Sequence, residues 1–190
     1  DEHYSYLPLA LAPTPGPYTD SLRAAAAEVA DATLNRITNP AAPHEPVLPT
    51  PIGDLLARRP PKLRGGAGLP TVQDGDYITA ITEAVHDLDH SYLAVQGPPG
   101  SGKTYKAARV IKSLVNEGWR VGVVAQSHEV VENLLRETIE AGTDPDMVGK
   151  KPTNGANASV PWRRLNRTAD FPAFLNGNGG RILGGTAWDF

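Results

Sequence analysis

Residues 97–104 combine glycines, prolines, a lysine and a threonine in an order suited to holding phosphate groups. The segment consists of Gly97, Pro98, Pro99, Gly100, Ser101, Gly102, Lys103 and Thr104. It fits the pattern G-x-x-x-x-G-K-[ST] at every required position. Glycines let the backbone curl so that successive N–H groups point at phosphate oxygens, and the prolines stiffen the entry to that curl. We therefore predict a triphosphate-binding loop.

The lysine and the threonine of this loop have the chemistry that a triphosphate requires. Lys103 supplies a mobile positive charge to the β- and γ-phosphates, and the Thr104 hydroxyl can join the shell of Mg²⁺. We predict that Lys103 and Thr104 are catalytic, that Thr104 is the magnesium ligand, and that residues 97–104 with Tyr105 contact the nucleotide. The alternative is a glycine-proline surface turn with an incidental lysine.

Predicted strands and helices alternate around the loop. The apolar runs at 91–96 and 119–126 indicate buried strands. Residues 104–118 indicate an amphipathic helix that stops at Gly118, and residues 127–142 indicate a second helix. Strand, helix, strand and helix with short links predict an α/β fold with a parallel sheet and right-handed crossovers.

Three further elements are predicted from local patterns. A helix within residues 74–89 has Asp74 or Asp76 as its cap, and RILGGTAW at 181–188 indicates another strand. The helix at 127–142 takes Ser127 as its cap. Its predicted buried residues are Val130, Val131, Leu134 and Ile139.

Composition excludes several classes of site. The net charge of −3 gives no global attraction to nucleic acid or to a membrane surface, so any anion-binding surface must be local. The chain has no cysteine, which excludes disulfides, thiolate nucleophiles and cysteine zinc sites, and is compatible with a cytoplasmic location. No run of about 18 apolar residues exists, so we expect no membrane span. Residues 1–70 are proline-rich and carry one predicted helix, capped by Asp20.

Three segments resemble superfamily 1 nucleic-acid helicases, in the branch that includes the helicase of nonsense-mediated decay. They are VQGPPGSGKT at 95–104, VVAQSHEVVENLL at 123–135 and GGRILGGTAWDF at 179–190. The second departs from the family pattern at Val130 and Glu132, where alanine and aspartate are frequent. The sequences of the last two segments are similar to those of bacterial proteins that fuse a RecB-family nuclease domain to such a helicase.

The resemblance implies a P-loop NTPase with a RecA-like parallel sheet, flanked by helices, that uses ATP and Mg²⁺. It implies that Ser127, His128 and Thr186 contact a single-stranded nucleic acid, with DNA favoured over RNA, and that the activity is that of a helicase. It also implies an upstream nuclease domain and a downstream second RecA-like domain in a parent protein.

The resemblance leaves several expected parts of a motor unaccounted for, the arginine finger among them. No apolar strand ends in Asp-Glu after residue 104, and a second motor domain is absent. The chain begins at Asp1 without a methionine, so we interpret it as a piece of a longer protein that alone binds nucleotide weakly and hydrolyses almost none. The predicted division is a proline-rich connector at 1–72 and a first RecA-like domain at 73–190, truncated before the Walker B strand.

A basic stretch follows the predicted second helix. Residues 148–168 contain no acidic residue, and the stretch includes Trp162. Its basic residues are Lys150, Lys151, Arg163, Arg164 and Arg167. The stretch could follow a phosphate backbone, with Trp162 stacking a base. Alternatively it is a solvated loop anchored by Trp162.

Two other functions remain compatible with the phosphate loop. A P-loop kinase of a small metabolite or nucleotide predicts an arginine-bearing lid and an acceptor pocket, neither of which the sequence identifies. A non-catalytic nucleotide-binding module predicts binding without turnover. Stimulation of ATP hydrolysis by single-stranded DNA would distinguish the motor from the kinase.

Overall fold

The structure is a computed structural model that describes residues 51–56, 58–66, 68–153 and 159–190, with the isolated residues 27 and 38. The chain divides into two compact units, residues 1–60 and 61–190. Of the helix predicted after Asp20, only residue 27 is described, and it is helical. In the first unit, helix α1 (Pro51–Leu56) carries the buried Asp54, which accepts a hydrogen bond from Arg59 Nη1 at 3.0 Å.

The second unit contains helices and strands that alternate along the chain. The helices are α2 (Tyr77–Asp87), α3 (Lys103–Asn116), α4 (His128–Glu140) and the short α5 (Phe171–Leu175). The strands are β1 (Arg120–Ala125), β2 (Val148–Lys150), β3 (Arg163–Arg164) and β4 (Arg181–Thr186). Single 3₁₀ turns lie at Pro145–Met147 and Thr168–Asp170. None of the helices in the described ranges is long and apolar enough to cross a lipid bilayer.

The four strands form one parallel sheet in the order β1-β4-β2-β3. The predicted α/β fold with a parallel sheet is therefore confirmed. In the register of β1 with β4, Ala125 lies opposite Thr186, so both strands finish at the same edge of the sheet. β1 lies at one side of the described sheet, and its Val124 side chain is 57% exposed.

Local signals set the ends of the helices. Asp76 caps α2 by accepting hydrogen bonds from the N–H groups of Ile78 and Thr79, each at 3.1 Å. The hydroxyl and amide of Thr79, which donate to this carboxylate, lower the pKa of Asp76. Ser127 caps α4 as predicted, accepting from the Val130 amide at 3.4 Å. Gly118, with a φ of +94°, follows α3 where its end was predicted.

Helices cover both faces of the sheet. On one face, α3 and α4 bury Val115, Val131 and Leu135 against Val123, Val148, Ile182 and Trp162. On the other face, α5 contributes Phe171 and Phe174 to a second cluster with Leu165 and Leu183. Ile182 and Leu183 are successive residues of β4 that point to opposite faces, and a strand covered on both faces is buried along its length.

One predicted buried position of α4 is wrong. Val130 is 59% exposed, whereas Leu135 and Thr138, which were not predicted, are fully buried. Val131 is buried, while Leu134 and Ile139 are partly buried. The buried stripe of α4 thus runs through 131, 135 and 138, which is the i, i+4, i+7 spacing of one helical face.

The strand predicted at residues 91–96 is also wrong. These residues have no regular secondary structure, and Val95 is 51% exposed. A strand must exchange backbone hydrogen bonds with a neighbour, and residues 91–96 pair with none of the four described strands. The apolar run at 91–96 indicates apolar residues, but it does not supply the neighbouring strand that a strand there would need.

Candidate functional site

The phosphate loop adopts a tight turn whose backbone favours glycine at two positions. Gly100 and Gly102 have φ values of +80° and +74°, in the left-handed region that other residues rarely adopt. The Ser101 amide closes the turn by donating to the Pro98 carbonyl at 3.2 Å. At Gly97 an added Cβ would lie 2.6 Å from Ser101 Oγ, so a side chain there would displace the serine. The loop is therefore curled rather than extended.

Helix α3 begins directly at the end of this loop. Gly102 is its N-cap, and no side chain caps the first turn. The first N–H groups of a helix lack partners within the helix, and they lie at the positive end of its dipole. Such an end is a binding site for an anion when a glycine-rich loop leads into it. The amides at the start of α3 are therefore placed to donate to a phosphate.

Two lysines cross back over the loop. Lys103 Nζ donates to the carbonyls of Gly97 at 2.5 Å and Pro98 at 2.9 Å. Lys106 Nζ donates to the Ser101 carbonyl at 2.7 Å. The Lys103 ammonium thus lies over the curl of the loop, bound to exposed carbonyls. Moving it from these carbonyls to phosphate oxygens exchanges neutral acceptors for charged ones, which form stronger hydrogen bonds.

The two residues that follow Lys103 lie in the first turn of α3. Thr104 is exposed and follows Lys103 in the first turn of α3, directly after the loop. Tyr105 is 51% exposed, and the Arg109 guanidinium covers its ring at 3.2 Å from the centroid. The curled loop, the uncapped helix and the free approach to Thr104 fit a magnesium-bound triphosphate.

An apolar groove of about 540 Å³ adjoins the loop. Lys103 and Thr104 form part of its lining, together with aliphatic side chains of α2, α3 and α4 and the outer side of β1. The exposed Val95 and Val130, whose burial was expected from the sequence, both line this groove.

The predicted nucleic-acid residues meet at the carboxyl edge of the sheet. Ser127 and His128 follow β1, and Thr186 ends the neighbouring strand β4. In open α/β sheets ligands bind outside the carboxyl ends of the strands. The Thr186 side chain is only 5% exposed, and its hydroxyl donates to Asp189 Oδ2 at 3.0 Å. The Thr186 hydroxyl is therefore already engaged within the chain.

Asp189 lies at the centre of this edge, although it was not predicted from the sequence. Its Oδ2 accepts from both the amide and the hydroxyl of Thr186, at 2.8 Å and 3.0 Å. The same oxygen lies 3.8 Å from His128 Nδ1, and Oδ1 lies 3.7 Å from Lys151 Nζ. The T-x-x-D spacing from 186 to 189 was the available signal, because an acidic side chain three residues after a threonine can accept a hydrogen bond from the backbone N–H of that threonine, as in a capping box.

The environment of Asp189 favours its charged form. Burial by itself raises the pKa of this carboxyl, but the two hydrogen bonds from Thr186 and the charges of His128 and Lys151 lower it by more. The net result is a pKa below the ordinary value for aspartate. The carboxylate therefore holds its partners at neutral pH without taking up a proton.

The structure separates the predicted basic stretch into two groups. Trp162 is 6% exposed and belongs to the core. The prediction that a base stacks on Trp162 is therefore wrong, whereas the alternative, that Trp162 anchors the stretch to the core, is confirmed. Lys150 is 1% exposed and pairs with Glu132 Oε1 at 3.1 Å, so it is not a surface charge. Arg163 and Arg164 are exposed on β3.

The curled loop at the start of a helix and the parallel sheet together define a P-loop NTPase with a RecA-like fold. A family model described as the Type III restriction enzyme, res subunit, matches residues 71–167, and the chain belongs to this family. Its matched range includes the phosphate loop, Ser127 and His128, and it ends before Thr186.

The chain is also similar to a curated yeast protein. It is 46% identical over 88 residues to the DNA replication ATP-dependent helicase/nuclease DNA2 of Saccharomyces cerevisiae (strain ATCC 204508 / S288c). The match covers 43% of this chain and only 6% of that protein. No solved structure gives a significant match. Together the two findings support a helicase-like protein of superfamily 1 with a nucleotide-binding P-loop.

Proposed function

We propose that this chain is the ATP-binding part of a nucleic-acid helicase or translocase motor. The observation that carries the proposal is the curled loop 97–104, which leads into the uncapped N-terminus of α3 with the Lys103 ammonium over it. Membership of a helicase-like P-loop family and similarity to a protein named as an ATP-dependent helicase/nuclease support the same assignment.

The residues of the loop have separate roles in this proposal. Backbone amides of the loop and of the first turn of α3 donate to phosphate oxygens. The Lys103 ammonium leaves the Gly97 and Pro98 carbonyls and binds β- and γ-phosphate oxygens. The Thr104 hydroxyl would be a ligand of Mg²⁺, which when bound would offset part of the charge of the triphosphate. Tyr105 lies at the rim of the same site.

We further propose that a single-stranded nucleic acid crosses the carboxyl edge of the sheet. Ser127, His128 and Thr186 lie together there, and DNA is favoured over RNA because the similar yeast protein is named for DNA replication. In the parent protein, ATP hydrolysis would move a second RecA-like domain against this one and shift the grip along the strand. We also propose an upstream nuclease domain of the RecB family and a cytoplasmic location.

Replacing Lys103 with alanine tests the nucleotide site. We expect Lys103→Ala to weaken ATP binding by about 2 kcal/mol, roughly 30-fold, since a charge-assisted contact to phosphate is lost. Binding of AMP, which lacks the β- and γ-phosphates, should be unchanged. Both affinities can be measured by titration calorimetry in the presence of Mg²⁺.

The matched control is Lys112→Ala, which removes the same charge from the same helix about 13 Å further along its axis. This variant should bind ATP as the original chain does. Equal ATP affinities for the Lys103→Ala variant and the original chain would show that the triphosphate is not held at this loop.

A further inference from the structure

The turn that follows β4 is locked by one carboxylate. The Asp189 amide donates to the Thr186 carbonyl at 2.9 Å, while Asp189 Oδ2 accepts from the amide and the hydroxyl of Thr186. Both of these residues are buried, at 9% and 5% exposure. The two residues between them point outward, and Trp188 is 72% exposed. The turn therefore has a fixed base and presents an indole ring to solvent.

This turn lies beside the other residues of the proposed strand-binding edge. Thr186 is in register with Ala125, two residues before Ser127, and His128 Nδ1 is 3.8 Å from the Asp189 carboxylate. Lys151, at the end of β2, lies 3.7 Å from the other oxygen of that carboxylate. Three adjacent strands thus end around the base of the turn.

The three tryptophans of the chain have different environments. Trp162 is buried in the core, and Trp119 lies at the amino end of β1 with its ring 5.8 Å from that of His86. Trp188 alone of the three lies at the carboxyl edge of the sheet. Proteins that bind single strands combine positive charge with aromatic rings on which bases stack, and stacking tolerates any base sequence.

We propose that Trp188 stacks on a base of the bound single strand and that Asp189 is the positioning residue that holds it there. The inference rests on the proposed function, because it deepens the strand-binding edge of that proposal. The inference also gives Thr186 an indirect role. Because its hydroxyl donates to Asp189, Thr186 helps to fix the turn that carries Trp188 instead of contacting the strand through that hydroxyl. The Asp189 charge is offset by Lys151, which limits its repulsion of a phosphate backbone.

The test measures binding of an oligothymidylate of about 15 nucleotides, and of an abasic oligonucleotide of the same length, by tryptophan fluorescence and by anisotropy of a labelled strand. Oligothymidylate should quench the fluorescence of the original chain, while the abasic strand should not. Trp188→Ala should bind oligothymidylate about tenfold more weakly, with no change for the abasic strand. Trp188→Phe should retain most of the affinity, because a phenyl ring also stacks.

The positioning role of Asp189 has its own variants. Asp189→Ala should lose quenching and affinity to a similar extent, whereas Asp189→Asn, which keeps one acceptor oxygen for Thr186, should recover part of both. Binding of ATP should be the same in all these variants, which shows that they remain folded.

Two results would overturn the inference. If the original chain binds oligothymidylate and Trp188→Ala binds it equally well, the stacking role fails while the proposed strand-binding edge stands. If the original chain binds neither oligonucleotide, the strand-binding edge fails and the inference fails with it.

Discussion

Lys150 carries a positive charge into the interior of the domain, where a carboxylate and a backbone carbonyl contact it. Its side chain is 1% exposed, and its Nζ contacts Glu132 Oε1 at 3.1 Å and the Lys151 carbonyl at 3.1 Å. Arg136 contacts the other oxygen of the same glutamate at 3.2 Å. Glu132 therefore joins helix α4 to strand β2 through a buried charge pair.

Removing the negative charge of this pair should lower the stability of the domain more than removing the positive charge. Glu132→Gln leaves Lys150 buried without a counter-charge, and we expect the free energy of unfolding to fall by about 2–3 kcal/mol, below the value for a fully buried pair because Glu132 is partly exposed. Lys150→Met removes the charge that needs compensation and should change stability by less than about 1 kcal/mol. Urea unfolding followed by tryptophan fluorescence measures both.

The double variant is the control for this prediction. Glu132→Gln combined with Lys150→Met should recover most of the stability lost in the single glutamine variant, since neither charge of this pair then remains. A loss in the double variant as large as in Glu132→Gln alone would show that the glutamate acts through contacts other than Lys150.

At the scale of elements, the fit between α3 and β4 depends on a glycine. A Cβ at Gly180 would clash with the carbonyl oxygen of Val115, in the last turns of α3. Those atoms are backbone, so they cannot move aside as a flexible side chain would. Gly184, in the middle of β4, likewise allows Val131 and Leu135 of α4 to approach the sheet. Close contact between the layers requires small residues at these two points.

Gly180→Ala should therefore destabilise the domain, and a second glycine provides a matched comparison. We expect a loss of about 2–3 kcal/mol for Gly180→Ala, because α3 must shift away from the start of β4. Gly122→Ala, in β1, meets nothing within 4 Å and should change stability by less than about 0.5 kcal/mol. Thermal unfolding of the two variants, followed by circular dichroism, tests the difference; equal midpoints would contradict it.

The elements that sequence reasoning found are those with their own periodicity. α3, α4, β1 and β4 each carry an apolar pattern that is visible without knowledge of their neighbours, and the phosphate loop carries a spaced motif. β2 and β3 were missed because three and two residues are too few to show a pattern. The burial of Lys150 depends on Glu132, which is distant in sequence. The turn that Asp189 forms with Thr186 has a local signal, but its contacts with His128 and Lys151 depend on partners distant in sequence.

At the scale of the whole molecule, the two proposed sites lie on one α/β layer but use different parts of it. The nucleotide site is built from the loop before α3, and the strand-binding edge from the ends of β1, β2 and β4. Neither depends on the overall charge of −3, because each relies on local groups. The chain covers only 6% of the similar yeast protein. How ATP hydrolysis at one site would change the grip on the strand at the other is therefore part of the proposal for the parent protein.

β1 is at the edge of the described sheet, with β4 on one side only. Its amide hydrogens should therefore exchange with deuterium at two different rates, depending on which side they face. The Arg181 amide donates to the Trp119 carbonyl, and bonding alternates along parallel strands. The amides of Val121 and Val123 therefore face β4, while those of Gly122 and Val124 face away from it. We expect the first pair to be protected for far longer than the second in a deuterium-exchange measurement by NMR. Equal protection of all four would reveal that another strand, from a second molecule or from elsewhere in the chain, docks along this side in solution.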